Sequence, residues 1–264
     1  MKICLKQMPV SMDNAINLQK LTDVPDCDML ILSDMWNCPY HNDALKHANL
    51  RHDESLQAML KLSKEKQIWI IGGSICANTY NRCYILHNGN IIDYYDKTHL
   101  FEFHGQKDYT EKEIFTPGDH FTCFKTPWGK CGVLLCYDIR FPEVSRLLTK
   151  QGAKILFCPA AFNEQATKKH WKLFAQTRAL ENEVFFCGVA PAKYTYKSYT
   201  SFGHSIVVSP FGEILLEMDE KEHTQVIDID LTEIEKARKR MPYWKIRRND
   251  LYQLEEKNED NTNQ

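Results

Sequence analysis

Lys130-Cys131-Gly132-Val133-Leu134-Leu135-Cys136-Tyr137-Asp138-Ile139-Arg140-Phe141-Pro142-Glu143 is the stretch on which the fold turns. Its first seven residues form a nearly continuous apolar run, the pattern of a strand covered on both faces. Pro142 suits the first turn of a helix, which puts a helix start just after Cys136. A thiol at such a junction is open to two readings. A helix N-terminus and nearby cations favour the nucleophilic thiolate, and a tight turn leaves backbone N–H groups to hold an oxyanion. A strand-end core cysteine fits the same residues, and local sequence does not separate the two.

Outward from this stretch the chain repeats one unit, a short β-rich run followed by a helix or turn. Strands are expected at 2–8, 28–33, 67–73, 82–87, 90–95, 121–125, 130–136, 154–159, 184–190, 203–208, 213–218 and 224–229. Asn88-Gly89 between two of them signals a two-residue hairpin. Helices are expected at 13–21, 43–66, 141–151, 165–182 and 231–240, with Gly152 closing the third and Asp230 or Thr232 opening the last. The mixture is α/β with sheets buried on both sides. One domain is expected over 1–254. The last ten residues, EEKNEDNTNQ, have no apolar side chain and are expected to be a disordered tail.

Composition narrows the function classes. The 264 residues carry 33 Lys+Arg against 35 Asp+Glu, a formal charge of −2, which argues against general affinity for nucleic acid or an anionic membrane. No apolar run approaches the roughly 18–20 residues of a membrane span, and the N-terminus reads as a strand rather than a signal peptide. The ten cysteines include no C-x-x-C pair, and several lie in apolar runs where a thiol packs as a small hydrophobe. Reduced thiols and the cytosol are the expectation. Phosphate-loop, dinucleotide, zinc-protease and serine-elbow motifs are absent, and no histidine pair has ligand spacing. Ser63-Lys64-Glu65-Lys66 matches S-x-x-K within a charged helix, and Gly72-Gly73-Ser74 is better explained as a strand-end turn. Lys97, in Tyr95-Asp96-Lys97-Thr98-His99, reads on its own as a surface lysine or as the cation a cysteine hydrolase needs.

The flanking segments resemble the nitrilase superfamily of carbon–nitrogen hydrolases. They are KICLKQMPVS at 2–11, DMLILSDMWNCPY at 28–40, YDKTHLF at 95–101, FTPGD at 115–119, CGVLLCYDIRFPE at 131–143, CPAAFN at 158–163, HWKLFAQTRALEN at 170–182 and GHSIVVSPFGE at 203–213. Their order holds from about residue 2 to 252, and the branch most similar in feel is that of the omega-amidases. The resemblance implies a four-layer αββα sandwich that dimerises into αββααββα, and chemistry without metal or organic cofactor on a small-molecule amide. Position by position it implies Cys136 as nucleophile and Lys97 as the cation on the tetrahedral intermediate. Tyr137 would supply an oxyanion N–H and Glu111 would be a second, positioning glutamate. Arg140, Phe162 and Tyr40 fall where related amidases contact substrate, whereas Arg178, Glu181 and Asn182 match a structural motif.

Two departures stand out. The family usually has Pro-Glu at the base position, and this chain has Ser33-Asp34. Aspartate keeps the charge but loses about 1.5 Å of reach, and roughly 1 Å of misplacement costs on the order of 10²-fold in rate. A shifted backbone, a bridging water, or Glu111 taking over part of the proton transfer would each answer this, and loss of catalysis is the fourth outcome. After AFN, hydroxyl-bearing residues of the omega-amidases are replaced by Gln165 and Ala166, so the substrate need not be alpha-ketoglutaramate. Arg140 favours a carboxylate-bearing amide by bidentate pairing, against the plainer reading of an ion pair with Glu143. The expected activity is amide hydrolysis through a cysteine thioester. The alternative is an impaired member of the fold with a binding or scaffold role.

Overall fold

The computed structural model describes residues 1–105 and 108–257, without the side chains of 165–167. Two sheets form the centre. In the first, the strands run in the order His223–Asp228, Lys2–Gln7, Met29–Ile31, Trp69–Ile71, Tyr80–His87 and Ile75–Ala77, with Asn90–Asp96 also paired to Tyr80–His87. In the second, the order is Ile214–Glu217, Ile206–Val208, Phe185–Val189, Ala153–Pro159, Gly129–Val133 and Thr122–Thr126. Each sheet has a parallel centre and antiparallel margins.

Period-2 alternation explains the layering. Ile3, Leu5, Met29, Ile31 and Ile85 of the first sheet face Val133, Leu135, Ile155, Phe157 and Cys187 of the second in one shared core. The alternate residues of the first sheet, Cys4, Leu30, Ile70 and Leu86, pack against Leu21, Met59 and Leu62 on the helices Asn14–Leu21 and His52–Lys66. Those of the second, Leu156, Phe186 and Val208, pack against Val144, Leu148, Trp171 and Ala175 on the helices Pro142–Lys150 and Glu164–Asn182. The architecture is therefore αββα, as the resemblance implies.

Every expected strand is found, trimmed by one to three residues at some ends and extended by one or two at others. Asn88 and Gly89 both adopt positive φ (48° and 77°), the signature of a type I′ hairpin turn. Gly152, at φ 104°, follows the C-cap of the Pro142–Lys150 helix. The expected helix over 43–66 is corrected to three pieces, Asn42–Leu45, a 3₁₀ turn at Ala48–Arg51, and His52–Lys66. Tertiary bonds override local propensity there: the Asn49 side chain accepts from Asn78 N, and Arg51 donates to the carbonyls of Asn37 and Met12. Strand Ile75–Ala77 was not expected. At the C-terminus Glu256 accepts from Phe121 N and Gln151 Nε2; residues 258–264 of the expected tail lie outside the described residues.

Candidate active site

The parallel strands of both sheets end on one edge of the sandwich, and the segments leaving them carry the singled-out side chains. Asp34 follows Met29–Ile31, Ser74 follows Trp69–Ile71, Lys97 follows Asn90–Asp96, and Cys136 follows Gly129–Val133. The two sheets are laced together at this edge. Asp34 N donates to Ala160 O across the sheets at 3.3 Å, and on the second sheet's side Ala161 N lies 3.4 Å from Cys136 Sγ.

Cys136 opens a 3₁₀ turn, Cys136–Arg140, ahead of the helix that Pro142 begins. Its φ is +46°, a left-handed conformation that costs a non-glycine residue on the order of 1 kcal/mol or more and needs outside support. Asp138 supplies that support. Its Oδ2 accepts from Tyr95 OH (2.8 Å) and Leu135 N (2.8 Å), and its Oδ1 accepts from His99 N (3.0 Å) and Thr98 Oγ1 (3.2 Å). From the other side Arg178 Nε donates to Ile139 O at 2.8 Å while its Nη1 holds Glu181 at 2.7 Å. Arg178, held by Glu181, thus braces the turn against its helix, while Asn182 Nδ2 donates to Ser145 Oγ of the neighbouring helix, in line with their structural reading.

Lys97 is not a surface lysine; it is fully buried. Its Nζ donates to both Glu111 oxygens, at 2.8 and 3.0 Å, and to Tyr40 OH at 3.1 Å. Glu111 is equally buried and also accepts from Phe101 N. Burial pushes the Glu111 carboxyl above the ordinary range, Asp34 adds to this, and the Phe101 N–H opposes it. The Lys97 ammonium is the counterweight that geometry places against both oxygens.

Asp34, 1% exposed, is held through one oxygen only. Oδ1 accepts from Ser74 Oγ at 2.5 Å and from Asn81 Nδ2 at 3.0 Å. Oδ2 is buried and has no hydrogen-bond partner among the described residues. The turn 72–74 is pressed onto residue 33 from behind. Gly73 has φ +62°, and a Cβ there would lie 2.0 Å from Ser33 O, so only glycine fits. Ser74 N then donates to Ser33 O at 3.2 Å.

Burial also decides the state of the thiol. It pushes the Cys136 thiol up, with Lys97 opposing and Asp34 and Glu111 adding to the rise, which favours the protonated form. Desolvation thus opposes the lowering that a helix start and a cation would give the thiol. Asp34, whose Oδ2 has no hydrogen-bond partner among the described residues, is one of the two carboxylates that add to this rise.

The remaining candidates divide. Tyr40 joins the buried cluster, its ring 6.5 Å from Tyr109 and 5.8 Å from Tyr199. Tyr109 OH is buried without a partner among the described residues. Phe162 packs on Trp171 at 4.9 Å. The Arg140 guanidinium lies over the rings of Tyr137, Phe162 and Phe174, at 5.6, 5.8 and 5.2 Å, with His170 Nδ1 at 3.3 Å. Among the described residues no carboxylate, Glu143 included, pairs with it. Tyr137 turns its ring toward Phe101 and Phe141 and lines a cleft of about 440 Å³ with Thr98, His99 and Pro117. The side chains of Gln165 and Ala166 lie outside the described residues. Sequence reasoning missed Ser74, Asn81, Tyr109 and Asp138. Only Ser74 carried a signal, a hydroxyl directly after a glycine pair at a strand end.

Comparison with known proteins gives this arrangement its relatives. The family model for carbon-nitrogen hydrolases matches residues 9–239. The chain is 35% identical over 260 residues to an omega-amidase of Xenopus tropicalis, covering 94% of each. It is 33% identical over 246 residues to an omega-amidase of Homo sapiens, covering 90% of this chain and 86% of that one. Among solved structures it is similar to Saccharomyces cerevisiae Nit3, a member of branch 10 of the nitrilase superfamily, at 32% identity and a TM-score of 0.81, over 94% and 96% of the two chains. With a match over most of its length, an αββα sandwich and a buried cysteine–lysine–carboxylate cluster at the strand ends, the chain belongs to the carbon–nitrogen hydrolase family.

Proposed function

We propose that this protein is an amidase that hydrolyses a small, carboxylate-bearing amide to acid and ammonia through a Cys136 thioester. The observation that carries the reading is a buried thiol, a buried lysine and a buried carboxylate with one oxygen unpartnered among the described residues, all set on segments leaving the strand ends.

In this mechanism Asp34 takes the thiol proton as Cys136 Sγ attacks the amide carbon. Lys97 Nζ and the Tyr137 N–H hold the oxyanion. The intermediate collapses by breaking the C–N bond, and the proton held by Asp34 leaves with ammonia. Water then gives a proton to the same carboxylate and attacks the thioester, and the acid departs as the thiol is restored. Glu111 holds Lys97 in place, and its burial lets it share proton transfer with Asp34. Tyr40 and Phe162 line the substrate space, and Arg140, a cation without a carboxylate partner among the described residues, suits the far carboxylate of the substrate.

Ten free cysteines, nine of them buried, support a reducing compartment, and we place the protein in the cytosol. No helix among the described residues is long and apolar enough to cross a membrane. A homodimer is proposed on the resemblance, and the exposed Leu173 and Leu180 of the Glu164–Asn182 helix are apolar surface open to it.

The test is a panel of omega-amides, with ammonia release and intact mass read on wild type and on Cys136→Ala. Ammonia and a thioester adduct in wild type alone are expected. No adduct in wild type, and no gain on Asp34→Glu, would favour the binding or scaffold alternative.

A further inference from the structure

Asp34 is one methylene shorter than the glutamate the family usually has, so its aim must come from its neighbours. Two side chains supply it, and both act on the same oxygen. Ser74 Oγ accepts from Met35 N at 2.9 Å, which commits its proton to Asp34 Oδ1 at 2.5 Å. Asn81 Nδ2 reaches Oδ1 at 3.0 Å. Asn81 is also bonded through its backbone: Lys97 N donates to Asn81 O at 3.0 Å. One residue therefore ties the Asp34 carboxylate to the Lys97 backbone, and Asp34, Ser74, Asn81 and Lys97 are all buried. With Oδ1 saturated, the remaining acceptor capacity of the carboxylate is on Oδ2.

We propose that Ser74 and Asn81 are positioning residues that aim Asp34 Oδ2 at the Cys136 thiol and fix its spacing from Lys97. This rests on the reading of Cys136 as nucleophile and Asp34 as its base. A two-torsion side chain clamped at one oxygen leaves the other little freedom, which is how a short carboxylate meets the tolerance of about 1 Å that proton transfer demands. A hydrogen bond between Ser74 and Asp34 that served packing alone would act equally whether or not residue 34 could accept a proton.

That difference sets the experiment. The second-order rate of Cys136 alkylation by iodoacetamide is measured at pH 8, alongside ammonia release, for Ser74→Ala, Ser74→Thr and Asn81→Ala, each also in an Asp34→Asn background. Ser74→Ala is expected to lower both the alkylation rate and kcat by about 10- to 100-fold with KM within about twofold, and Ser74→Thr to restore most of the loss. In the Asp34→Asn background neither Ser74→Ala nor Asn81→Ala should slow the reaction further, the non-additivity of groups acting as one unit. Equal losses in both backgrounds, rates unchanged by Ser74→Ala and Asn81→Ala, or a Cys136 that iodoacetamide does not reach in wild type would overturn the proposal. If the alkylation pattern holds but wild type releases no ammonia from any amide, the amidase reading fails and the positioning stands. If ammonia is released and the variants match wild type, the reverse is true.

Discussion

Replacing Lys97 by methionine keeps the apolar stem and deletes the ammonium, and the structure sets the size of the result. Lys97 and Glu111 are both fully buried, with Nζ 2.8 and 3.0 Å from the two carboxylate oxygens. Removing one partner of a buried pair strands the other charge, at a cost of about 3–5 kcal/mol. At about 2–4 °C per kcal/mol for a chain of this size, Lys97→Met should lower Tm by roughly 6–20 °C near pH 7. The loss has a defined pH dependence. In the variant, burial holds the Glu111 carboxyl above its unfolded value of about 4.3, with no ammonium to oppose it. The folded form then binds a proton that the unfolded chain releases, so stability is retained below about pH 4.3 and is lost as pH rises, by about 1.4 kcal/mol per unit, up to the folded value. The penalty relative to wild type should therefore shrink as pH falls from 7 toward 4.5. Lys97→Met combined with Glu111→Leu should recover most of the stability and none of the ammonia release. Urea titrations at pH 4.5, 6 and 7.5 read all three. A penalty under 1 kcal/mol, one that is flat with pH, or a double variant no more stable than the single would refute the buried-pair argument.

Gly73→Ala sets a Cβ 2.0 Å from Ser33 O in a left-handed conformation; we expect at least 1–3 kcal/mol of destabilisation and a loss of ammonia release larger than the melting shift explains, read by calorimetry and steady-state kinetics. Asp138→Asn puts an NH₂ against donors, so about 1–3 kcal/mol of stability should be lost as the Cys136 turn loosens, seen as faster amide hydrogen exchange over 135–140. Because burial pushes the Cys136 thiol up, iodoacetamide labelling of Cys136 should keep rising through pH 9 with no plateau between pH 5 and 8; a plateau there would mean a thiolate at rest. Sedimentation velocity should give a dimer for wild type, shifted toward monomer by Leu173→Glu, and a wild-type monomer at tens of micromolar would remove that assembly.

The strands were legible because a buried parallel sheet writes itself as unbroken apolar runs, and residues 130–136 and 184–190 are of that kind. The break in the expected 43–66 helix was not, since Ala48, Asn49 and Arg51 are acceptable in a helix and only distant partners, Asn78, Asn37 and Met12, pull them out of it. At the site, Cys136, Lys97, Glu111 and Tyr40 came from motif position, and the structure gathers them. Ser74 and Asn81 bear no motif that distinguishes a turn or strand residue from one gripping Asp34; their contacts span 40 and 47 positions of chain. Asp138 was hidden similarly, because a carboxylate two residues after a cysteine looks the same whether it faces solvent or collects donors from residues 95–99 and from Leu135.

The different ways the three proposed reactive groups are fastened bear on how the chain can change. Cys136 and Lys97 are welded into main-chain networks: the thiol's turn hangs on Asp138, and Lys97 bonds through its own amide and carbonyl to Asn81 and Gly118. Asp34 bonds through its own amide to Ala160 O, but its carboxylate is gripped by two side chains. A residue held in that manner can be exchanged, and its grip retuned, without dismantling the scaffold. In the proposed mechanism Asp34 is the base, and its grip by Ser74 and Asn81 is the part of the site that substitution can retune most directly.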